Sequence, residues 1–382
     1  MINEATVKGF KSLKDVEFDL GNLNILVGAN ASGKSSFLQV LLLLRQSSTA
    51  EGVVPSLQLS GDLFEGGTAT DVLHPEAERK IEVVIREGRD ATSFVFEALR
   101  SDADPNPRVL SCGATSDSKL PKGLYQRGGA FCYLNAERLG PRVSYPLPPA
   151  EAKLSGFLGK HGEFTTAFLA RAHASNLTVP GWDSQLNALA AVGEGIDQAD
   201  ISFAQSQMSA VANILLAWVI PGASFDASEH SAMDMAQLGF TRDAKGTKSS
   251  VRPTHIGFGL SYTLPIITGL LATPKSGMCI VENPEAHLHP FSQSRMGSLL
   301  AAAAGNGIQL FVETHSDHVV NGVRLAVKNK LIDASDVRIF FFEKDPDSDS
   351  TSLTTLKVDQ DGALSDWPTG FFDQIEIDLS RL

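Results

Sequence analysis

The chain has 382 residues, of which 43% are hydrophobic and 20% are charged, so it can bury one large core or two moderate ones. This composition excludes a disordered chain and a disulfide-stapled miniprotein. The 32 basic and 44 acidic residues give a formal net charge of -12, which repels polyanions on average but leaves room for a local basic strip. Bulk charge therefore neither predicts nor excludes binding to DNA.

The cysteines and the apolar segments indicate where in the cell the protein is expected. Cys112, Cys132 and Cys279 lie far apart and show no C-x-x-C spacing, so they suggest neither a zinc cage nor a disulfide framework. The N-terminus alternates polar and apolar residues, unlike a secretory signal. The longest weakly polar run, 256–272, is interrupted by polar residues and is shorter than the roughly 20 residues that span a bilayer. We expect a cytoplasmic protein with no membrane association.

The first third of the chain predicts strands around one helix. Residues 5–20 read as a strand pair, and Leu23–Val27 reads as a buried strand that leads through a Gly-rich turn into a helix, Ser35–Arg45, with Leu41–Leu44 in the core. Short strands between 57 and 100, of which IEVVIRE and TSFVFEA are the clearest, predict a β subdomain. Residues 101–123, rich in Ser, Asp, Pro and Gly, predict an exposed loop.

The rest of the chain predicts a helical segment followed by alternating strands and helices. Phe131–Leu134 is a short apolar strand, the segment ERLGPRVSYPLPPAE breaks regular structure, and 150–220 has helical spacing. From Thr254 onward the strands CIVEN, IQLFVET and VRIFFFEK alternate with helices near 290–304 and 317–330. This order predicts an α/β layer that resumes the one begun at residue 23.

A phosphate-binding pattern follows the first buried strand. Gly28–Ser35 satisfies G-x-x-x-x-G-K-[ST] and lies between a strand and a helix, which is the context that this pattern requires. In such a loop the backbone N–H groups surround a phosphate, Lys34 adds a positive charge, and the Ser35 hydroxyl ligates Mg²⁺. The alternative is a chance Gly-rich turn.

Two later strands end in polar residues. Met278–Glu282 ends in Glu282, which could hold the water shell of Mg²⁺, and Glu285 follows three residues later. The next strand runs into His315, which could contact a γ-phosphate. Ligand sites form at the carboxyl ends of parallel strands, so we expect these residues along one sheet edge. The alternatives are a polar strand end before a helix and a structural or solvated histidine.

Several of these segments together resemble the ABC-type ATPase heads of the SMC, double-strand-break-repair and OLD group: GFKSLKDVEFDLGNLNILVGANASGKSS, THIGFGLSYTLPII, CIVENPEAHLHPFSQ and FVETHSDHVVN. DGALSDWPTGFFDQ resembles the C-terminal segment of a bacterial subgroup of stand-alone ATPases. The resemblance implies an α/β, P-loop ABC-type head with a mixed, partly parallel sheet. It places the N-terminal half with the β subdomain at 1–140, an inserted, mainly helical lobe at 141–250, and the C-terminal half at 251–382.

The resemblance also implies ATP and Mg²⁺ as ligands and assigns roles to individual residues. The catalytic group comprises Lys34, Glu282 as the Walker B acid, Glu285 and the switch histidine His315. The nucleotide contacts come from Asn30, Ala31, Ser32, Gly33, Lys34, Ser35, Ser36, Gly259 and Ser261. The metal contacts come from Ser35, Glu282 and Gln58.

Three departures from the family pattern shape this interpretation. The signature region reads Gly-Leu-Ser-Tyr where Leu-Ser-Gly-Gly-Gln is familiar, and we expect its helix to begin near Ser261. Asn283 stands where many members place the catalytic Glu, so Glu285 is the candidate that orients or deprotonates the attacking water. No long heptads occur between the loop and the signature, so no SMC-length coiled coil is predicted.

Other residues carry open alternatives. Gln58 is either a metal-linking residue or an exposed strand residue, and Lys11 either approaches the nucleotide or is a solvated hairpin lysine. His287 and His289 suggest a metal pair by their spacing, whereas the resemblance places them at a dimer seam. Arg138 with Arg142 is either an anion-facing pair or part of a surface loop.

The resulting interpretation is an ATPase that forms an ATP-dependent homodimer or higher homo-oligomer and drives or gates a separate effector. The resemblance suggests a nuclease in bacterial anti-phage defence as that effector, with DNA as a further candidate partner. The main alternative is a non-hydrolysing nucleotide-sensing scaffold, which Asn283 favours. A P-loop small-molecule kinase is a weaker alternative, because it leaves the signature and switch segments unexplained.

Overall fold

The computed structural model describes residues 1–99, 104–113, 119–126, 130–149, 158–179, 181–192, 195–244, 247–345, 348, 350–373 and 378–381. The strands are β1 Glu4–Phe10, β2 Leu13–Asp19, β3 Leu23–Gly28, β4 Ser56–Gln58, β5 Lys80–Glu87, β6 Asp90–Glu97, β7 Val109–Cys112, β8 Phe131–Leu134, β9 Tyr145–Pro146, β10 Phe225–His230, β11 Met235–Ala244, β12 Thr247–Val251, β13 Met278–Glu282, β14 Gln309–Glu313, β15 Val337–Lys344 and β16 Thr351–Leu356. The α-helices are α1 Lys34–Ser47, α2 Ala69–Val72, α3 Lys122–Tyr125, α4 Thr165–Ala174, α5 Trp182–Val192, α6 Gln198–Ala204, α7 Met208–Val219, α8 Phe258–Ala272, α9 Pro290–Gly305 and α10 Asp317–Lys328. This is the mixed α/β class that the sequence predicts.

The chain divides into two compact units, and the first unit is discontinuous in sequence. It comprises Met1–Arg127, Ser335–Asp359 and Leu364–Leu382. An antiparallel sheet in the order β2-β1-β5-β6-β7-β4 forms its β layer. Alternate residues of β5, such as Ile81 and Val83, are buried, and they face Leu43 and Leu44 of α1. The period-2 burial explains why this segment reads as strands from sequence.

The phosphate-loop pattern of the first unit lies at the end of β3. All of β3 before Gly28 is buried, as expected for a strand covered on both faces. β15 pairs with it in parallel, and β16 pairs with β15 antiparallel. Phe18 of β2 stacks on Phe37 of α1 with ring centroids 3.8 Å apart, which fixes the helix that follows the loop.

The second unit comprises Gly128–Ala334 and Gln360–Ala363. Its parallel strands lie in the order β8-β13-β14, with Cys132 opposite Cys279 and Glu282 opposite Glu313 in register. Parallel strands are joined by helical crossovers, here α9 between β13 and β14. The carboxyl ends of β8, β13 and β14 therefore meet at one edge of the sheet. The sequence predicts this edge as the place of Glu282, Glu285 and His315.

The second unit also contains a helical group and an antiparallel sheet. Helices α4 to α7 occupy 165–219, and the side chains of Trp182 and Trp218 are buried among them. β11 pairs antiparallel with β9, β10 and β12, and Arg171 of α4 forms an ion pair with Glu229 of β10 at 2.5 Å. The predicted helical segment is confirmed for the described residues between 158 and 219.

Some predicted elements differ in the structure. The predicted loop 101–123 contains β7, because Leu110 points into the core while Val109 stays exposed; residues 101–103 and 114–118 of that loop lie outside the described residues. The antiparallel strands between 225 and 251 and strand β16 are additional to the predicted elements. β10 and β16 bury only one residue each, at one end of the strand, so they lack clean alternation. β11 does alternate, with Ala236, Leu238 and Phe240 buried. α8 begins at Phe258, three residues before the predicted start near Ser261.

No helix among the described residues is both long and apolar enough to cross a membrane.

Candidate functional site

The phosphate-loop pattern adopts an unusual backbone path in the first unit. Gly28, Ala31 and Gly33 have positive φ angles of 140°, 60° and 105°. Gly33 caps α1, whose first helical residue is Lys34. Alternation between left- and right-handed residues turns successive N–H groups toward one side, and it forms a concave site for an anion next to a helix N-terminus. The local backbone therefore fits a phosphate.

Lys34 is held inside this loop. Its ammonium donates to the carbonyl oxygens of Gly28 at 2.9 Å and Ala29 at 2.7 Å, and the residue is 3% exposed. Asn30 and Ala31 are exposed on the outer part of the loop. A positive charge is thus held within the loop, against the carbonyl oxygens of Gly28 and Ala29.

The serines of the loop differ in their surroundings. Ser32 is buried, and its hydroxyl has no hydrogen-bond partner among the described residues. Ser35 is half-buried in the first turn of α1. The N–H of Ser36 already donates to the Gly33 carbonyl at 3.0 Å, so its backbone belongs to the helix ladder. The Ser32 hydroxyl can therefore still donate a hydrogen bond to a ligand, whereas the Ser36 N–H is already used within the helix.

The loop is supported from two sides of the first unit. The Thr351 hydroxyl donates to the Ser32 carbonyl at 2.8 Å and lies 2.8 Å from the Ser12 hydroxyl. A Cβ added at Gly33 would collide with both of these hydroxyls. Ser12 lies in the turn between β1 and β2, so this hairpin and β16 both determine the loop conformation.

Lys11 and Gln58 make other contacts. The Lys11 ammonium donates to Gln39 Oε1 at 2.7 Å and lies 5.0 Å from the centroid of the Phe64 ring, and burial lowers its pKa. Lys11 is therefore partly buried and packed on α1. The alternative that it is a solvated lysine of the hairpin is wrong. Gln58 is exposed at the end of β4 and donates to the Ser56 hydroxyl at 2.9 Å. This placement matches the exposed-strand alternative for Gln58.

Glu282 ends β13 in the second unit and is mostly buried. Its carboxylate accepts hydrogen bonds from the Tyr133 hydroxyl at 2.9 Å and from the Ala136 N–H at 3.2 Å. Burial raises the pKa of Glu282, while these two donors and the charge of Arg138 act in the opposite direction. The same surroundings raise the pKa of Tyr133, mainly through burial and then through Glu282. The carboxylate is thus oriented by two donors.

Glu285 bridges to the end of β14. One carboxylate oxygen accepts from the Thr314 hydroxyl at 2.7 Å and the other accepts from the His315 N–H at 2.9 Å. The His315 side chain is exposed, and the following Ser316 caps α10 through Val319 N–H. The structure thus brings Glu285 and His315 together, and the remaining lone pairs of Glu285 can accept a proton or a water hydrogen.

Asn283 lies in a strained turn between the two carboxylates. Its φ is 45°, and its N–H donates to the Glu313 carbonyl at 2.8 Å. The left-handed conformation is tolerated by Asn better than by most residues. An Asn at this position therefore has a backbone reason that is independent of catalysis.

The amino-terminal turn of α8 contains the signature region. Gly257 caps the helix without a side-chain hydrogen bond, and Phe258 is 50% exposed. Gly259 lies close to the His287 carbonyl, while Ser261 is 5% exposed and adjoins the Tyr145 hydroxyl. The first N–H groups of a helix lack intrahelical partners, so this turn can bind an anion through its backbone. Gly259 lies near the surface of that turn, and the Ser261 side chain faces inward.

The paired histidines make aromatic and capping contacts. The ring of His287 packs against Tyr262 at 4.8 Å and Phe258 at 5.1 Å between centroids. His289 caps α9 by accepting from the Phe291 N–H. Within the described ranges, no group of three or more His, Cys, Asp and Glu side chains is arranged to hold a metal ion.

Two residues after β8 have surroundings that the sequence did not indicate: Arg138, for which both alternatives were wrong, and Asn135, which was not singled out. Arg138 is 2% exposed and donates to backbone carbonyls, so it belongs neither to an anion-facing pair nor to a surface loop, whereas Arg142 is exposed. The Oδ1 atom of Asn135 is buried and has no partner among the described residues. The signal that could have indicated both is their position directly after a buried strand of the parallel sheet.

Three solved SMC heads align with this chain at low sequence identity and with TM-scores below 0.5. The SMC head bound to the C-winged helix domain of ScpA is 15% identical, with a TM-score of 0.48, over 93% of this chain and 97% of that one. An SMC head with an extended coiled coil bound to the C-terminal domain of ScpA, from Pyrococcus furiosus, is 14% identical, with a TM-score of 0.48, over 100% and 98%. The SMC head from Thermotoga maritima is 11% identical, with a TM-score of 0.42, over 94% and 99%. No curated protein sequence matches this chain significantly.

Family models match three separate segments. Residues 332–382 match "Protein of unknown function (DUF3696)". Residues 1–91, which contain Lys34, match "AAA ATPase domain", and residues 173–321, which contain Glu282, Glu285 and His315, match "AAA domain, putative AbiEii toxin, Type IV TA system". Two segments of the chain, 1–91 and 173–321, are therefore similar in sequence to AAA ATPase domain families.

Proposed function

We propose that the protein binds ATP at the loop Gly28–Ser35 and hydrolyses it to ADP and phosphate. The observation that carries this proposal is the loop itself: a buried lysine at a helix N-terminus, held by two loop carbonyl oxygens, within a segment that matches an AAA ATPase domain. Phosphoryl transfer depends mainly on positioning and charge neutralisation, so few side chains are needed.

The residues of the chain fit both ATP and Mg²⁺. The loop offers backbone donors, the Lys34 ammonium and the unpartnered Ser32 hydroxyl to phosphate oxygens. The Ser35 hydroxyl and the Glu282 carboxylate are the hard oxygen ligands that Mg²⁺ prefers, and Gln58 is a further proposed contact. Bound Mg²⁺ would neutralise negative charge on the phosphates.

Glu285 is the proposed general base. Its two hydrogen bonds, from Thr314 and the His315 N–H, hold the carboxylate in one orientation while leaving acceptor capacity for a water molecule. The exposed imidazole of His315 is proposed to contact the γ-phosphate. Asn283 has no basic group, so it can orient water but cannot take its proton.

Dimerisation on ATP is part of the proposal. The exposed first turn of α8, with Gly257, Phe258 and Gly259, offers unpaired helix N–H groups and a positive dipole end. We propose that this turn binds the phosphates held by a second copy of the chain. Each nucleotide would then stabilise the dimer.

The alternative is a scaffold that binds ATP without hydrolysing it. Asn283 supports this alternative, because it replaces the acid that commonly follows the Walker B residue. A substitution of Glu285 distinguishes the hydrolysing ATPase from the non-hydrolysing scaffold. If Glu285 is the base, Glu285→Gln removes proton transfer but keeps the shape. The amide oxygen keeps one of the two acceptors, for the His315 N–H, and the amide N–H group can donate to the Thr314 hydroxyl.

The test combines phosphate release with solution mass, with and without ATP·Mg²⁺, for the wild type and Glu285→Gln. We expect turnover in the wild type, a loss of at least about 100-fold in kcat in the variant, and a stable ATP-bound dimer of the variant. Glu163→Gln, which changes an acid near α4 of the second unit, controls for the loss of charge. Binding and dimerisation without turnover in the wild type would establish the scaffold.

The proposal also includes a separate effector protein that acts with the ATPase. The family that matches residues 173–321 is described as a putative toxin of a Type IV toxin–antitoxin system. We therefore propose that a separate protein, such as a nuclease in anti-phage defence, supplies the output. Unchanged phage protection in the native host after Lys34→Ala would contradict this role.

DNA is proposed as a second partner of the ATP-bound dimer. Such binding would rest on a local basic strip, because the overall charge of -12 opposes it. The measurement is ATP-dependent retention on DNA at low and at physiological salt. No retention at low salt would contradict DNA binding.

A further inference from the structure

Arg138 is a buried cation to which the proposed chemistry assigns no role. Its guanidinium donates to the carbonyl oxygens of Asn135 at 3.0 Å, Glu282 at 2.6 Å and Asn283 at 2.6 Å. Its Nε is buried without a partner among the described residues. The side chain therefore joins the loop after β8 to the backbone at the end of β13.

The same guanidinium also contacts α8. Its central carbon lies 5.2 Å from the centroid of the Tyr262 ring, a distance within the range of cation–π attraction. Tyr262 lies in the second turn of α8 and also contacts His287 edge-on. Arg138 thus touches both the turn that leads to Glu285 and the helix that begins with the signature region.

This arrangement is costly to form. Burial lowers the pKa of Arg138 to about 10, while the charges of Glu285 and Glu282 and the Tyr262 hydroxyl raise it. Taking a charge out of water costs several kcal/mol, on the order of what good hydrogen bonds return. The positive φ of Asn283 adds backbone strain that neighbouring contacts must hold. Because burying the Arg138 charge is unfavourable, we take its contacts to the turn and to α8 as the role of this side chain.

We propose that Arg138 is a positioning residue that makes the Glu282–Asn283 turn move together with the amino-terminal turns of α8. A planar guanidinium can bond two successive carbonyls and stack on a ring at once, whereas a lysine ammonium offers one point of charge and no flat face. The consequence for activity rests on the proposed ATPase function, because the turn contains the proposed metal ligand and leads to the proposed base.

Steady-state hydrolysis tests the activity arm with Arg138→Lys, Arg138→Met and Tyr262→Leu, and with Tyr262→Phe as the matched control that keeps the ring. We expect kcat to fall at least about tenfold in the first three variants, with KM for ATP changed less than about twofold. Tyr262→Phe should stay near the wild type. The double variant Arg138→Met/Tyr262→Leu should be no slower than Arg138→Met alone, because the two residues act as one unit.

Two kinetic outcomes would overturn the inference. One is Arg138→Lys with wild-type kcat, which would mean that charge alone suffices. The other is a double variant in which the two losses multiply, which would mean independent roles. Arg138→Lys keeps the charge and most of the volume, so it tests the inference even if Arg138→Met fails to fold.

Hydrogen–deuterium exchange tests the coupling without any ATPase activity. In Arg138→Lys we expect the amides of 283–288 and those of 261–264 to exchange faster together, while the amides of α1 stay unchanged. Faster exchange in only one of the two segments, or in neither, would contradict the coupling. If the wild type releases no phosphate, the proposed function fails, and this exchange experiment alone decides the role of Arg138.

Discussion

Lys34 donates to two carbonyl oxygens of its own loop, which shows how the phosphate loop is organised at the scale of one residue. A phosphate is a stronger acceptor than a neutral carbonyl, because its bond with an ammonium is assisted by both charges. We therefore expect Lys34 to exchange these carbonyls for phosphate oxygens when ATP binds. The loop keeps its lysine buried and paired until then.

Gly33→Ala tests the loop conformation. The added methyl group would collide with the Thr351 and Ser12 hydroxyls, and a φ of 105° strains any residue with a Cβ, so the loop or the side chains that support it must shift. We expect ATP affinity to fall at least about tenfold, measured by titration calorimetry. Gly88→Ala is the matched control, because Gly88 also has a positive φ but nothing within 4 Å of an added Cβ. Equal affinities in both variants would contradict the proposed loop geometry.

The candidate residues differ in how well sequence could identify them. The spacing of Gly28 and Lys34 and the acid after β13 are local patterns, and the structure places them as predicted at a loop and a strand end. The burial of Ser261 could not be read from sequence, because it depends on Tyr145, which is distant in the chain.

At the scale of elements, α9 and α10 approach each other through small residues. A Cβ at Gly322 would collide with the Ser294 carbonyl, and one at Gly297 would collide with the Val319 carbonyl. The Ser298 hydroxyl donates to the Gly322 carbonyl at 3.0 Å across the contact. This packing fixes the helices that flank β14 and therefore the position of His315.

Gly322→Ala should destabilise the fold. Alanine favours a helix by about 1 kcal/mol over glycine, but here its methyl group meets backbone that cannot move aside. We expect the free energy of unfolding to fall by about 1–3 kcal/mol in chemical denaturation. Gly113→Ala, where the nearest atom is 3.6 Å from the added Cβ, should change it by less than about 0.5 kcal/mol. A Gly322→Ala protein as stable as the wild type would refute the close contact.

Elements with clear periodicity were predictable, and short or polar ones were not. α9 and α10 match the predicted helices near 290–304 and 317–330, and β5 shows the expected alternation. β7 is four residues long, with Leu110 as its buried anchor, and β10 is mostly polar. Such strands form because neighbouring strands pair with them, and that pairing is invisible in the local sequence.

At the scale of the whole molecule, the first unit is assembled from the beginning and the end of the chain. β15 and β16 belong with β1 to β7, although more than 200 residues separate these segments. Thr351 thereby reaches the Ser32 carbonyl of the phosphate loop. The proposed division at 1–140, 141–250 and 251–382 remains a prediction about sequence segments.

ATP-dependent dimerisation is the prediction at this scale. With ATP·Mg²⁺ we expect the solution mass to rise from one chain toward two, because each nucleotide adds contacts only in the dimer. Light scattering measures this change. Lys34→Ala should stay at the mass of one chain, since it loses the charge that holds the phosphates. If ATP changes the solution mass of neither the wild type nor Lys34→Ala, the proposed dimer is contradicted.

The sequence by itself determined the phosphate loop, the acidic strand end and the long helices. These features follow from spacing and periodicity within a few residues, where local hydrogen bonding and burial decide the structure. Only the tertiary structure decided that Arg138 is buried against the Glu282–Asn283 turn and that Thr351 supports the loop. These contacts join residues far apart in the chain, so their physical cause is packing that no local pattern records.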